Sequence, residues 1–313
     1  MGMTVYSSTD SGAPVLGNSN GSLIAVLKAC LVDGYGSKTA AGWTRPYTGT
    51  NLAAFKQGAG GNNRLLRVFD GGNDSFGFRR IAVRGYEAMT AISTGTGPFP
   101  TTGMISGNGP NFAYRSGSSG ASAVPWTLYA DSKFFHLVVD AYPETPGAQV
   151  SYMGFGTFTS YLGGDAYGDV LIASPQGDLG AWTGSAGGNP EMWVTRSDTG
   201  ASGAKVATPI CAERVDPLGV GTASGRHTYP DRVRTALVQA RVSLLVDGQV
   251  RGHVPGLWDV LPGGASVGGG GTVWSGAAGS SLAGRSFALY GPLQNHIFGT
   301  FGYAAIETSA TWD

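Results

Sequence analysis

Charge is scarce in this chain. Only 13% of its 313 residues are Asp, Glu, Lys or Arg, about half the ~25% usual in a globular protein. The two signs cancel at 20 each. That balance excludes a global field drawing in nucleic acid or an acidic membrane surface. It also gives weak protection against self-association, which a protein living inside an assembly tolerates. Cysteine is almost absent. Cys30 and Cys211 stand far apart, outside any paired motif, and read as two reduced, buried thiols. No apolar run approaches the ~20 residues that cross a bilayer. The opening MGMTVYSSTDSG lacks the basic region and apolar core of a secretory signal. Gly2 and a following serine match a myristoylation window only superficially. The expected setting for folding is a reducing cytoplasm, with no membrane span.

Catalytic and ligand-binding patterns are also missing. The histidines, His136, His227, His253 and His296, are scattered, and neither H-x-x-x-H nor C-x-x-C occurs, so no metal site is expected. Asp70 to Asp74 and Asp165 to Asp169 are the densest acidic spots. Neither has calcium-loop spacing, and both read as turns. Two carboxylates four residues apart in a turn give no evidence of the separation a glycosidase needs. Gly17 to Gly21 matches G-x-S-x-G before a helix, but a nucleophile elbow also needs a preceding strand and a later Asp and His. Helix capping explains its Asn and Ser. Gly219, Gly221 and Gly225 lack dinucleotide spacing, and no Gly-Lys-Ser/Thr follows a glycine-rich loop. The one basic cluster, Arg226, His227, Arg232 and Arg234, is short and reads as a solvated loop or interface rim. The expectation is therefore no enzyme, no catalytic residue, no cofactor, no metal and no nucleic-acid partner.

What the chain does have is glycine, 53 residues of it, more than twice the usual share of about 7%. There are also 13 Tyr, 13 Phe and 7 Trp. Glycine supplies positive φ in turns and bulges and is costly inside helices. Together these predict many short strands joined by tight turns. One helix is expected over residues 22–33, capped by Asn20 or Ser22, ended by Gly34, and apolar nearly all round. Strands are expected at 64–69, ending in turn chemistry at Asp70 to Asn73, and at 78–86. Residues 93–122, rich in Gly, Ser, Thr and Pro, read as a long loop or domain junction. A hairpin follows, 126–130 and 134–140 around Asp131 to Lys133. Its run Phe134 to Val139 suits a strand buried on both faces. Further strands are expected at 149–161, 168–173, 192–196, 234–246, 249–254, 272–274, 285–290 and 296–303. The fold class is thus mainly β with an α+β N-terminal part: β-sandwich or barrel-like domains and one prominent helix. Two domains are expected, an N-terminal α+β domain at 1–115 and a β-rich domain at 116–313 with glycine-rich loops such as Gly263 to Gly271.

Several stretches resemble a family of virion structural proteins of tailed bacteriophages and prophages. They are Gly21 to Gly36, Ala41 to Thr44, Gly49 to Phe55, Val83 to Met89, Gly154 to Gly156, Tyr161 to Tyr167, Arg251 to Trp258 and Gly284 to Phe287. The resemblance spans most of the chain. It implies a place in the virus particle, assembled in the host bacterial cytoplasm, and supplies no catalytic motif to transfer. On this reading the chain is an accessory virion protein on the particle exterior. Tail or baseplate is favoured over capsid or collar decoration. Its partners are other virion proteins and copies of itself, held by sparsely charged interfaces. The alternative is a receptor- or glycan-binding adhesin module contacting a host surface glycan, with Trp182, Trp193, Trp258 and Trp274 as stacking candidates. Tryptophans packed in the core are the simpler reading of all four.

Overall fold

A computed structural model describes residues 2–73, 78–115, 123–140, 150–173, 191–210, 237–261, 272–275, 283–296, 299–309 and 311–312. The chain is mainly β. β1 (Thr4–Ser7) precedes α1 (Ser22–Lys28), which continues into a π-helical turn (Ala29–Asp33). Next come β2 (Thr44–Gly49), β3 (Leu52–Lys56), β4 (Leu65–Asn73), β5 (Phe78–Ala91), β6 (Thr94–Phe99) and β7 (Asn111–Arg115). These six form one antiparallel sheet in the order β2-β3-β4-β5-β6, with β7 also pairing β5. They are followed by β8 (Trp126–Ala130), β9 (Phe134–Asp140), β10 (Val150–Thr157), β11 (Thr159–Ser160), β12 (Asp169–Ala173), β13 (Glu191–Val194) and β14 (Lys205–Ile210). The last strands are β15 (Leu237–Val246), β16 (Gln249–Leu261), β17 (Thr272–Ser275), β18 (Ser286–His296) and β19 (Gly299–Glu307). The second sheet, also antiparallel, runs β1-β8-β9-β10-β12-β13-β14-β15-β16-β19-β18-β17, and β11 pairs with β16.

The second sheet curls, and its first half becomes a middle layer. Successive side chains of a strand point to opposite faces, and here both faces are dry. Phe135, Leu137 and Val139 of β9, Met153 and Phe155 of β10, Leu171 of β12 and Trp193 of β13 pack with the helix and the smaller sheet. Their alternates Phe134, Val138, Tyr152, Val170, Ile172, Met192 and Val194 pack with Val242, Leu244, Leu257, Ala288 and Ile306 of the late strands. The continuous apolar run at Phe134 to Val139 is the sequence mark of this two-sided burial. The path leaves the smaller sheet at Arg115 and joins the larger one at Trp126. The first core draws on both segments, and Thr4 to Ser7 pair with β8.

The helix occupies the expected residues and ends at Gly34, whose φ of 80° suits glycine. Leu23, Val26, Leu27, Cys30 and Leu31 form its buried stripe, while Ala25 faces solvent. The expected caps do not form. Gly21 is the N-cap and no side chain of its own neighbourhood caps the helix. Instead the Asp70 carboxylate, brought in by β4, accepts the Leu23 amide at 2.8 Å. Ser22 Oγ donates to the Gly17 carbonyl, and Asn20 Oδ1 accepts from Arg79.

The turn expected at Asp70 to Asn73 is therefore strand. The register passes from Phe69↔Ala82 to Gly72↔Arg80, so the strand bulges at Asp70 and Gly71 instead of ending. Residues 93–122 are likewise not one loop, since β6 and β7 lie within them. β6 forms despite its glycines because its partner needs the room. A Cβ at Gly95 would fall 2.5 Å from the Tyr86 ring, and one at Gly97 would meet the Glu87 side chain. β16 and β19 run further than expected, and β1, β2, β3 and β14 are additional strands. Gly263 to Gly271 lies outside the described residues.

Candidate functional site

The motif candidates go to structural positions. Ser19 of the G-x-S-x-G match lies in a turn whose carbonyl accepts the Ser22 amide, with no strand before it. Cys30 is a free thiol in the first core, and burial pushes its pKa well above the ordinary range. Cys211, His227, the Arg226 to Arg234 cluster, Gly219 to Gly225 and Trp182 lie outside the described residues, as do the side chains of Trp274 and His296. Trp193 is fully buried. Trp258 is enclosed by Phe287, Arg241 and Arg285, and its indole N–H donates to Glu307. Neither offers a face on which a sugar could stack.

Asp165 and Asp169, close in sequence, diverge in space. Asp169 is fully buried and receives Asn62, Thr157, Gln57 and Arg64 at 2.7 to 3.2 Å. Burial raises its pKa against the pull of those donors. The cluster ties the β3–β4 connection of the smaller sheet to the middle layer. Asp165 belongs to another group. Its two oxygens accept a fork from Arg251 at 2.8 and 3.0 Å, and Ser160 adds a third bond at 2.8 Å. Burial alone would raise its pKa, yet the bonds from Arg251 and Ser160 leave it lowered. Between the two groups Tyr167 lies under the Arg196 guanidinium, 4.0 Å from the ring centroid, and Arg196 forks onto Glu87 at 2.6 Å. Both aspartates are thus held by donors from the protein itself.

Arg251 reaches inward because β16 bulges. The register passes from Leu244↔Gly252 to Leu245↔Val250, leaving Arg251 as the extra residue, and such a bulge re-aims a side chain. Gly252 then lets β11 approach, since a Cβ there would lie 2.3 Å from the Thr159 carbonyl. The segments Tyr161 to Tyr167 and Arg251 to Trp258, far apart in sequence, therefore meet. Sequence reasoning did not pair them, although a lone Arg and Asp in otherwise uncharged stretches was the available signal.

A larger irregularity in β16 sets Val254, Pro255, Gly256 and Leu257 opposite Val242. It delivers the Pro255 carbonyl to His136 Nε2 at 2.7 Å. A carbonyl only accepts, so Nε2 carries the proton and Nδ1 takes the Tyr152 hydroxyl at 2.5 Å. Burial lowers the His136 pKa to about 3, although the bond to Pro255 pulls the other way. Trp312 covers the group edge-on, its centroid 4.9 Å from that of His136. Gly256 makes room for it with a φ of 65°, and a Cβ there would sit 2.4 Å from the indole nitrogen. Gly256→Ala is expected to cost at least about 2 kcal/mol, from backbone strain and overpacking together. Thermal melting would show it as a clear downward shift, and an unchanged melting point would contradict the packing described.

On the outward face the pairing of β14, β15 and β16 aligns Thr208, Leu245 and Val250 in one row. Val206 projects on the same side, two residues before Thr208. β11 pairs Ser160 with Gly252 and the Tyr161 amide donates to the Arg251 carbonyl at 2.8 Å, so the chain carries Tyr161 and then Leu162 along this edge of β16, next to the segment that holds Val250. Val206, Val250, Tyr161 and Leu162 are 41–59% exposed. The Lys205–Asp247 ion pair at 3.3 Å is the charged feature at its end. An exposed apolar row of this kind is what a protein interface uses at its centre. Comparison with protein-family models and with curated proteins finds no match for the chain.

Proposed function

We propose that the chain is a structural component of a tailed-phage particle, an accessory protein that assembles through protein–protein contacts on the exterior. Tail or baseplate is favoured over capsid or collar, and the partners are other virion proteins and further copies of the chain. The observation that carries the reading is the apolar row formed by Val206, Leu245, Val250, Tyr161 and Leu162 on a molecule with little charge. The sequence resemblance supplies the setting. A surface of this kind gains free energy by leaving water, and repeated copies turn weak contacts into avidity.

The double variant Val250→Asp with Leu162→Asp tests it. Wild-type protein is expected to form oligomers in solution and to co-sediment with phage particles. The variant is expected to stay folded by circular dichroism, because both positions are exposed, and to lose the assembly. A wild-type chain that is strictly monomeric and never accompanies particles rules the reading out.

A further inference from the structure

We propose that a cleft beside Lys133 binds one neutral pyranose ring, as a unit of a surface glycan. This inference uses other residues than the assembly row and stands independently of the virion reading. The cleft opens where turns from several layers meet. Its inner lobe has a volume of about 200 Å³ and an outer lobe about 320 Å³, with Gly60, Asp131, Lys133 and Trp312 common to both. That is room for a sugar ring and its first neighbour.

The polar groups are fixed in advance. Asp131 Oδ1 accepts the Lys133 and Phe134 amides at 2.7 and 2.8 Å, which pins the turn. The Lys133 carbonyl accepts Gln57 Nε2 at 3.0 Å and the Thr157 amide at 3.1 Å. The Lys133 side chain itself is exposed and has no hydrogen-bond or ion-pair partner among the described residues. The Thr159 hydroxyl also has none, and Asp131 Oδ2 receives no protein donor there. Phe134, Phe158 and Trp312 close the cleft on the core side, all three buried.

This set matches a polyol better than an ion. The carboxylate and the ammonium cancel, so neither an anion nor a cation is favoured on charge. One accepts a hydroxyl proton and the other donates to a hydroxyl oxygen, which is the complement of a vicinal diol. Thr159 does either. Because the backbone at Lys133 is already held, binding orders little beyond one side chain.

Saturation-transfer NMR with glucose, galactose, mannose, N-acetylglucosamine and their disaccharides at millimolar concentration tests the assignment. At least one neutral sugar is expected to receive saturation from the protein. Lys133→Met is expected to weaken that binding at least about tenfold by removing a charge-assisted hydrogen bond. Thr159→Val, at a hydroxyl without a protein partner, is expected to weaken it several-fold with the melting temperature unchanged. No transfer to any sugar in the panel, transfer unaffected by both variants, or a response confined to uronates or inorganic phosphate would each overturn the proposal.

Discussion

Asp70→Ala is expected to destabilise the protein by about 3–5 kcal/mol, the usual penalty for removing one partner of a buried ion pair. Asp70 and Arg79 pair with both side chains fully buried. Arg79 Nε already lacks a hydrogen-bond partner. Removing the carboxylate takes away the buried counter-charge that the guanidinium holds, while neutral acceptors such as the Asn18 and Asp70 carbonyls and Asn20 Oδ1 stay in place. It also takes the acceptor from the Leu23 amide at the start of α1. Denaturant unfolding would register the loss as a lower midpoint with a similar slope. The double replacement Asp70→Leu with Arg79→Met is expected to cost less than the single one, because the buried guanidinium goes together with its carboxylate. A single-variant loss below about 1 kcal/mol would mean that Arg79 finds another partner.

The second large effect is on pH dependence. The folded His136 refuses a proton down to about pH 3, while in the unfolded chain it titrates near its ordinary 6.5. Between those values the unfolded state binds one more proton than the folded state. The contribution of His136 is therefore complete above pH 6.5 and falls with pH by about 1.4 kcal/mol per unit. Asp165, with a lowered pKa, adds a loss of the same sign below the ordinary carboxylate range. Asp70 and Asp169, with raised values, act oppositely. His136→Gln isolates the imidazole. Its stability should be lower near neutrality, where the wild-type network is intact, and flatter from pH 6.5 to 5. Equal slopes for wild type and variant would show that His136 is not kept neutral by the fold.

Local patterns carried much of this architecture. The helix at 22–33, the β8–β9 hairpin and the doubly buried strand at Phe134 were legible because their determinants are contiguous in sequence. The caps of α1 were not, since the carboxylate that serves the helix comes from Asp70, in the bulge of β4. β6 was obscured by its own glycines, which serve the bulk of Tyr86 and Glu87 on the neighbouring strand. The aromatic count implied well-filled cores, and Trp193 and Trp258 do lie inside. The apolar row had no linear signature at all. Val206, Val250 and Leu162 come from three separate segments, and only sheet register places them together.

The pairing of β1 with β8 has a consequence for how the molecule is made. Thr4 bonds opposite Ala130, so the first strand must wait for most of the next 126 residues to leave the ribosome, on the order of ten seconds at about 5–20 residues per second. The first core then still lacks Trp193, and Phe134 lacks its cover until Trp312 arrives. A nascent chain of this kind displays greasy, half-paired strands for most of its synthesis. Its yield in a cell should accordingly respond to trigger-type chaperones and to growth temperature more sharply than that of a helical protein of equal size.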